Sequence, residues 1–394
     1  MIRYDGSYRY APSKRWVLFP SFSAAWRVSE EKFFKDLFPA IDNLKFRASY
    51  GESGRDQGDA YSYMPAYTSS NSRGYMFEDG SLTVGMYPPG VVNDRMSWVT
   101  AKFYNLAVDM DVKRISATFE FFQRKNTGLL ASKVASVTNT FGASFPQENI
   151  NSDMNTGLEL QLKYRGNAGK DFKYVIGTNV TYARTKRLHV ESAPYTSQWD
   201  NWRNNNNDRY QGRNLIYTYD GQYTSLYDFE TVPLLGGARG NSVMLPGAYR
   251  IKDNNGDGRI NADDQVFENW AYGNQGYVSG DGTGQRVNPP LQYGFTFDFA
   301  YKEWDLNLLF QGAALYSVNY HMNDIWGYGR YPTLHEKFLD RWHTANPDDN
   351  PLDPNTVWIA GKYPAGRPYN YNNTTDALAI NVWRPMATYL RLKN

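Results

Sequence analysis

The sequence predicts an all-β fold: part of a large antiparallel transmembrane β-barrel of the outer-membrane type, with long loops on one side. Three observations carry this expectation. Segment after segment alternates apolar and polar residues with a period of two. Tight turns alternate along the chain with long stretches rich in Asn, Asp, Gly and Pro. Aromatic residues make up 16% of the chain, yet no apolar run approaches the ~18 residues that a membrane helix needs. A barrel strand needs only about ten residues of alternating character, and its inner face is polar, so low overall hydropathy is compatible with a membrane.

The strands follow in order. In Leu44-Lys45-Phe46-Arg47-Ala48-Ser49-Tyr50, one face is Leu, Phe, Ala and Tyr and the other Lys, Arg and Ser. Gly51-Glu52-Ser53-Gly54 then reads as a turn ending that strand. Leu158, Leu160, Leu162 and Tyr164 lie opposite Glu159, Gln161, Lys163 and Arg165, and Phe172, Tyr174, Ile176, Thr178, Val180 and Tyr182 form another single face. The clearest unit is a hairpin from Tyr293 to Gln311 with a tight turn near Lys302-Glu303. There Phe295, Phe297, Phe299 and Tyr301 share one face, and Trp304, Leu306, Leu308 and Phe310 another. Tyr301 and Trp304 are placed for an aromatic girdle at the short-turn side of a membrane. A soluble sandwich would alternate in the same way, but its strands usually run only ~5–6 residues. The alternation gives about ten or eleven strands.

Between the strands lie polar stretches at 187–214, 232–290 and 316–386. Loops this long usually carry function, and 232–290 is expected to be an insertion on the long-loop side. One helix is expected over Thr333 to Thr344, where Leu334, Phe338 and Trp342 recur at four-residue steps before Asn346-Pro347. Met1 is followed at once by Ile-Arg-Tyr-Asp without a signal-peptide pattern, and Tyr389 to Asn394 alternates to the last residue. Both ends are therefore expected to be cuts inside a longer barrel, with final strands beyond Asn394.

The 42 basic and 40 acidic residues nearly balance, which leaves no electrostatic footprint for nucleic acid. Without cysteine there is no disulfide framework, thiolate site or cysteine nucleophile. His189, His321, His335 and His343 lack any metal-ligand spacing, and neither a G-x-S-x-G elbow nor a phosphate-cradling glycine loop occurs. The expectation is a protein that is not an enzyme.

One metal motif stands out. Asp253 to Asp264 fits a twelve-residue calcium loop with ligands at positions 1, 3, 5, 7, 9 and 12. Asp253, Asn255 and Asp257 would supply side-chain oxygens, Arg259 its carbonyl, Asn261 a direct or water-mediated contact, and Asp264 the closing carboxylate. Gly258 stands at the sharp turn and Ile260 at the apolar anchor position. The expected ion is structural Ca2+; the other reading is a polar turn closed by its own side-chain-to-backbone bonds. Trp199, Trp202, Trp326 and Tyr328 are candidate substrate-binding residues, able to stack on sugar rings or peptide side chains. Packing of the loops on one another would use the same residues.

Several motifs, in order, resemble the barrel region of SusC/RagA outer-membrane proteins. These are Arg3-Tyr4-Asp5-Gly6-Ser7-Tyr8-Arg9-Tyr10-Ala11-Pro12, Phe19-Pro20-Ser21-Phe22-Ser23-Ala24-Ala25-Trp26-Arg27, Ile41 to Gly51, and Asn155-Thr156-Gly157-Leu158-Glu159-Leu160. They continue with Asn255-Gly256-Asp257-Gly258, Pro290-Leu291-Gln292-Tyr293-Gly294, Phe310-Gln311-Gly312 and the closing Tyr389 to Asn394. The resemblance implies a TonB-dependent importer of Bacteroidota in the cell outer membrane, with residues 1–394 supplying part of a barrel of roughly 22 strands. It implies a plug domain outside this chain, coupling to TonB, a SusD-like surface lipoprotein as partner, and oligosaccharide or peptide cargo. A competing expectation is a secreted or surface β-rich protein that binds calcium and carbohydrate. It explains the aromatics and the metal motif, but not the long strands with tight turns on one side.

Overall fold

The computed structural model describes the chain except residues 79, 88–89, 135–144, 212–214, 236–239, 268–288, 317–335, 366–386 and 394. The chain divides into two compact units. One comprises Met1–Gln211, Leu291–Gly312 and Leu390–Asn394; the other comprises Gly212–Pro290 and Ala313–Tyr389.

In chain order the first unit begins with β1 (Ile2–Gly6), β2 (Trp16–Arg27), α1 (Lys32–Leu37) and β3 (Asn43–Arg55). A separate hairpin, β4 (Thr68–Met76) and β5 (Leu82–Tyr87), precedes β6 (Val99–Val112), β7 (Ile115–Ser132), β8 (Gln147–Ala168) and β9 (Phe172–His189). Next come α2 (Gln198–Asn204) and β10 (Arg209–Tyr210). The second unit contributes short pieces: β11 (Leu215–Ile216), β12 (Tyr219–Gln222), α3 (Asp228–Thr231), β13 (Leu234–Leu235), β14 (Tyr249–Ile251), β15 (Arg259–Ile260) and β16 (Val266–Phe267). The chain returns to the sheet with β17 (Leu291–Tyr301) and β18 (Trp304–Ala314), then forms β19 (His343–Thr344), β20 (Trp358–Ile359) and β21 (Tyr389–Leu392).

The sheet has eleven strands in the order β1-β2-β3-β6-β7-β8-β9-β17-β18-β21, with β10 added beside β9. Its strands are long, 22 residues in β8 and 18 each in β7 and β9. These lengths leave the sandwich range and match a membrane crossing with an extension on one side. Register follows the alternation. Trp26, Phe46, Val108, Phe119, Leu160, Val180 and Tyr293 pair in one row across seven strands. Displaced by one residue, Lys45, Asp109, Thr118, Gln161, Asn179 and Gly294 form the matching polar row. A one-residue slip of any strand would put carboxylates and lysines into the apolar face, so the pattern itself locks the register.

Tight turns join the strands at one end. Lys113 at φ 52° and Lys302 at φ 52° close the β6–β7 and β17–β18 turns, and Gly169 at φ 70° lies between β8 and β9. The 28–42 connection with α1 lies at this same end, where Asn43 pairs with Asp111 beside the β6–β7 turn, and the longest connections lie at the other end. Gly51-Glu52-Ser53-Gly54 is not a turn: these residues continue β3 to Arg55, in register with β6. Gly54 is there for space, since a Cβ on it would run into the Phe19 ring, whereas a Cβ on Gly51 would meet only Ser21 at 3.5 Å.

The second unit has a hydrophobic core of its own. Tyr217, Tyr223, Leu235, Met244, Ala248, Tyr249, Ile251, Ile260 and Phe338 are buried together, with Phe229, Val232 and Tyr363 packed around them. The β9–β17 connection supplies most of this core, and the β18–β21 connection supplies Phe338 and Tyr363. The expected helix over Thr333 to Thr344 does not form in its described part. Glu336–Leu339 is a 3-10 turn, and His343–Thr344 is strand β19 paired with β20. The short turn places Phe338 in the core, edge-on to Tyr363 with ring centroids 4.8 Å apart. The amide of Trp342 then donates to the Tyr363 carbonyl at 2.8 Å. Tertiary packing and strand pairing thus outweigh a helical spacing that only three apolar residues supported.

Candidate functional site on the polar face and in the long-loop module

The polar face of the sheet carries an organised set of charges. The Arg47 guanidinium grips the Asp109 carboxylate with two hydrogen bonds of 2.8 and 3.0 Å. The Thr118 hydroxyl donates to the same carboxylate at 3.1 Å. Glu120 lies 3.7 Å from the same guanidinium and accepts from the Asn105 amide. Farther along this face Asn43 donates to Asp111 at 3.0 Å, and Asn126 to Asp153 at 2.6 Å. The hydrogen-bonded partners come from adjacent strands, and the Arg47–Glu120 contact reaches across β6 from β3 to β7. The face is therefore a pre-arranged ladder of donors and acceptors, suited to line an aqueous passage.

The opposite face is apolar and uncovered. Leu158, Leu160, Leu162, Phe46, Leu106, Phe119 and Leu306 are all exposed, and Phe295, Phe297 and Phe299 lie in the same rows through their pairing with β9. Within this unit no second sheet covers these rows among the described residues. A soluble sandwich would bury them. Aromatic residues gather toward the tight turns: Phe172 stacks on Phe299, and Tyr301 and Trp304 flank the β17–β18 turn, both exposed.

Trp199 and Trp202 sit one turn apart on α2, stacked at 4.8 Å with 18° between their planes, and both are exposed. The Ser197 hydroxyl caps this helix by accepting from the Asp200 amide at 3.0 Å. The Asp200 carboxyl is held below its ordinary value by hydrogen bonds from the Thr196 amide, and then from the Asn204 side chain. The two indoles thus form one platform on a short, well-capped helix. Trp326 and Tyr328 lie outside the described residues.

The loop from Asp253 to Asp264 closes on itself through its acids. Asp253 accepts from the amides of Gly256 at 2.7 Å and Gly258 at 2.9 Å. Asp257 accepts from the Arg259 amide at 2.8 Å and from the Asn255 side chain at 3.1 Å. Gly256 and Gly258, at φ 75° and 77°, take the left-handed backbone conformation that these bonds require. Asp264 is fully buried and joins the ends of the loop, accepting from the amides of Asn254 at 3.0 Å and Asn261 at 2.8 Å. Ile260 enters the core of the module. Desolvation pushes the Asp253 carboxyl up, but the Gly258 and Gly256 amides outweigh it and hold it below the usual carboxylate range.

The donor set tests how this loop would hold an ion. Among the described residues no three His, Cys, Asp or Glu side chains stand close enough to share one. A calcium ion here would draw instead on mixed oxygens, from Asp253 and Asp257 together with Asn255, the Arg259 carbonyl and Asn261. Calcium accepts such amide and carbonyl donors.

Sequence reasoning missed two groups. The Arg47–Asp109–Glu120 cluster needed the register between β3, β6 and β7 before it could be seen. Gly157, on the polar face, lies so close to Phe122 that a Cβ would meet the ring at 2.4 Å, and nothing local in the sequence marks that approach.

Long strands with one lipid-ready face, a polar opposite face, and tight turns at one end define a transmembrane β-barrel wall of the outer membrane. The model for "TonB dependent receptor-like, beta-barrel" matches residues 2–239, and the chain belongs to that family. It is similar to the TonB-dependent receptor SusC of Bacteroides thetaiotaomicron, 27% identical over 276 residues, covering 68% of this chain and 26% of the relative. It is also similar to the TonB-dependent receptor P3 of Formosa agariphila, 26% identical over 325 residues, covering 79% of this chain and 29% of the relative. The solved structure of the RagAB peptide transporter superposes with a TM-score of 0.64 at 18% identity, covering 100% of this chain and 37% of the other. The chain therefore spans about a quarter to a third of the curated relatives it matches. The eleven-stranded sheet agrees with the expected count, and it remains open between β1 and β21 among the described residues.

Proposed function

We propose that this chain forms wall and long-loop parts of a TonB-dependent importer that carries oligosaccharides or peptides across the outer membrane. The single observation that supports this best is the two-faced sheet, whose exposed apolar rows suit lipid while its charge ladder suits a lumen. In this reading the tight turns face the periplasm and the long connections face outside, the distribution usual for such barrels. A plug domain outside this chain would couple to TonB and open the lumen. A SusD-like surface lipoprotein would close over the long-loop side, with Trp199 and Trp202 presenting an aromatic platform to cargo, and Trp326 and Tyr328 adding to it.

The family is one of receptors and transporters, and we assign this chain no catalytic step. The calcium-type loop would have a structural role, holding the module in one shape for lid or cargo. Extracellular sites of this kind work at a Kd of about 10⁻⁴ to 10⁻³ M.

Growth of a deletion strain on defined oligosaccharides and on defined peptides, compared with its parent, tests the transport reading. Loss of growth on one cargo class alone, restored by the wild-type gene but not by a Trp199→Ala/Trp202→Ala variant, is the expected result. Unchanged growth on both classes would remove the proposal. Co-purification of a surface lipoprotein with the tagged receptor tests the partner separately.

A further inference from the structure

We propose that Phe103, Phe122 and Arg124 form a subsite in the lumen wall that holds an anionic sugar ring of the cargo. This rests on the transporter reading above and names its cargo class: an oligosaccharide bearing a carboxylate or sulfate.

The register isolates these residues. Phe103 pairs with Gly51 on one side and Arg124 on the other, and Arg124 pairs with Asn155. Two residues farther toward the tight turns, the polar row contains Asn105, Phe122, Gly157 and Ala183. From Ser53 down to Asn43 of β3, and across these rows to β9, Phe103 and Phe122 are the only aromatic residues on the polar face. Phe103 is 39% exposed there. An uncovered ring on a water-facing wall costs free energy that a stacking ligand recovers. The neighbours leave room for one: Gly51 has no side chain, and Phe122 leans across Gly157, where a Cβ would run into the ring.

Arg124 adds a charge to this shelf. Its guanidinium stands over the Phe103 ring at 5.1 Å, and its Nε donates to Asn126 Oδ1 at 3.1 Å. Asn126 is held in turn, its amide donating to Asp153 at 2.6 Å. Arg124 is exposed and has no carboxylate partner among the described residues. Asp153, the nearest acid in register, takes the Asn126 amide and stands directly opposite Arg187. The two terminal nitrogens of the Arg124 guanidinium are therefore open to an oxyanion, in the fork geometry that grips one with paired hydrogen bonds. Two rows deeper, Glu120 and Glu159 face each other across β7 and β8, and Arg47 is shared between Glu120 and Asp109. That acidic row repels an anion, so the favoured position is at Arg124 and not below it.

The same surface suits a sugar better than a peptide. Extended peptides are recognised through free strand edges, and β6, β7 and β8 are paired on both sides. A sugar ring needs only an aromatic face for its C–H groups and a side-chain donor for its substituent.

The test uses the full-length receptor that contains this chain, purified in detergent. Binding of an oligogalacturonate, of a sulfated galacto-oligosaccharide and of the neutral galacto-oligosaccharide of equal length is measured by calorimetry. The wild type should bind an anionic sugar more tightly than the neutral one, and the two anionic arms show whether carboxylate or sulfate is preferred. Arg124→Gln should lose about tenfold to a hundredfold in that affinity, as expected for a charge-assisted pair of hydrogen bonds, and should bind the neutral sugar as before. Phe103→Leu should weaken both. Added salt should weaken anionic binding in the wild type and not in Arg124→Gln. Equal wild-type affinity for charged and neutral sugars, or binding of none of them, overturns the proposal even if the variants do not fold. So does a folded Arg124→Gln receptor that binds the anionic sugar unchanged. A deletion strain that loses growth on neutral oligosaccharides or on peptides alone would leave the transporter standing and sink the anionic subsite, whereas unchanged growth on every class would remove the transporter itself.

Discussion

The sheet and the long-loop module are both β-rich, yet they are held together in opposite ways. In the sheet the apolar residues are exposed. Leu160, Phe119 and Phe46 gain their favourable environment from lipid, and the strands are fixed to one another by backbone pairing and by ladders such as Arg47–Asp109–Glu120. In the module the apolar residues are buried. Phe338, Met244, Ile251 and Ile260 make an ordinary core, around which the strands are only two to four residues long. One region therefore depends on its solvent for stability and the other on its own packing. A change in one should leave the other standing.

The largest effect is expected where packing dominates. Phe338→Ala removes a ring that is 1% exposed, and core Phe→Ala changes cost about 3–5 kcal/mol. In the full-length receptor this should open residues 212–290 to protease while the barrel keeps its heat-modifiable migration on gels. Loss of both together would show that the two regions fold as one. A somewhat smaller effect is expected in the sheet. Leu160→Arg places a cation in the middle of the lipid-facing rows and should cost roughly 2–4 kcal/mol. It is read as reduced urea resistance of the reconstituted barrel, with the module's protease pattern unchanged; no loss of resistance would count against a lipid-facing position.

These two regions were also unequally legible. Alternation revealed the sheet because each strand is long enough to show its period, and because a single apolar face leaves the polar positions unmistakable. Leu158 to Lys163 and the hairpin from Tyr293 to Gln311 are where that pattern places them. The module gave almost no periodic signal, since elements of two to four residues have no period to read. The four-residue recurrence of Leu334, Phe338 and Trp342 suggested a helix there. Yet Phe338 is fixed by Tyr363, twenty-five residues farther on, and Gly247 is needed because a Cβ would meet the Trp342 side chain at 2.2 Å. Of the candidate site, the Asp253–Asp264 loop was visible because all its partners are local. The Arg47 ladder was not, because its members come from three strands.

The smallest effect is an acid sensitivity of the module. Partial burial pushes the Asp228 carboxyl up, but hydrogen bonds from the amide and hydroxyl of Thr224 and the amide of Ser225 outweigh this and hold it low, as the glycine amides do for Asp253. A carboxyl whose folded-state pKa is depressed stabilises the fold above its unfolded value of about 3.9 and loses that contribution as pH falls through the lower folded value. The module should therefore loosen below about pH 4, read as faster proteolysis within 212–290 by an acid-active protease. Asp253→Asn should flatten part of that dependence. Added calcium should slow the same cleavage at neutral pH if the loop holds the ion, and chelator should restore it. Equal cleavage with and without chelator leaves a self-closed polar turn.

The faces of the sheet can be read directly, because this chain contains no cysteine. Single cysteines placed at Leu158, Glu159, Leu160, Gln161, Leu162 and Lys163 in the full-length receptor, reconstituted in lipid, would be labelled with a membrane-soluble maleimide and with a charged, water-soluble one. Positions 158, 160 and 162 should react with the membrane-soluble reagent alone, and the three between them should show no such preference. A uniform pattern along β8, or protection of 158, 160 and 162 from both reagents, would mean that the apolar rows are packed against protein and that the sheet is not the wall of a membrane barrel.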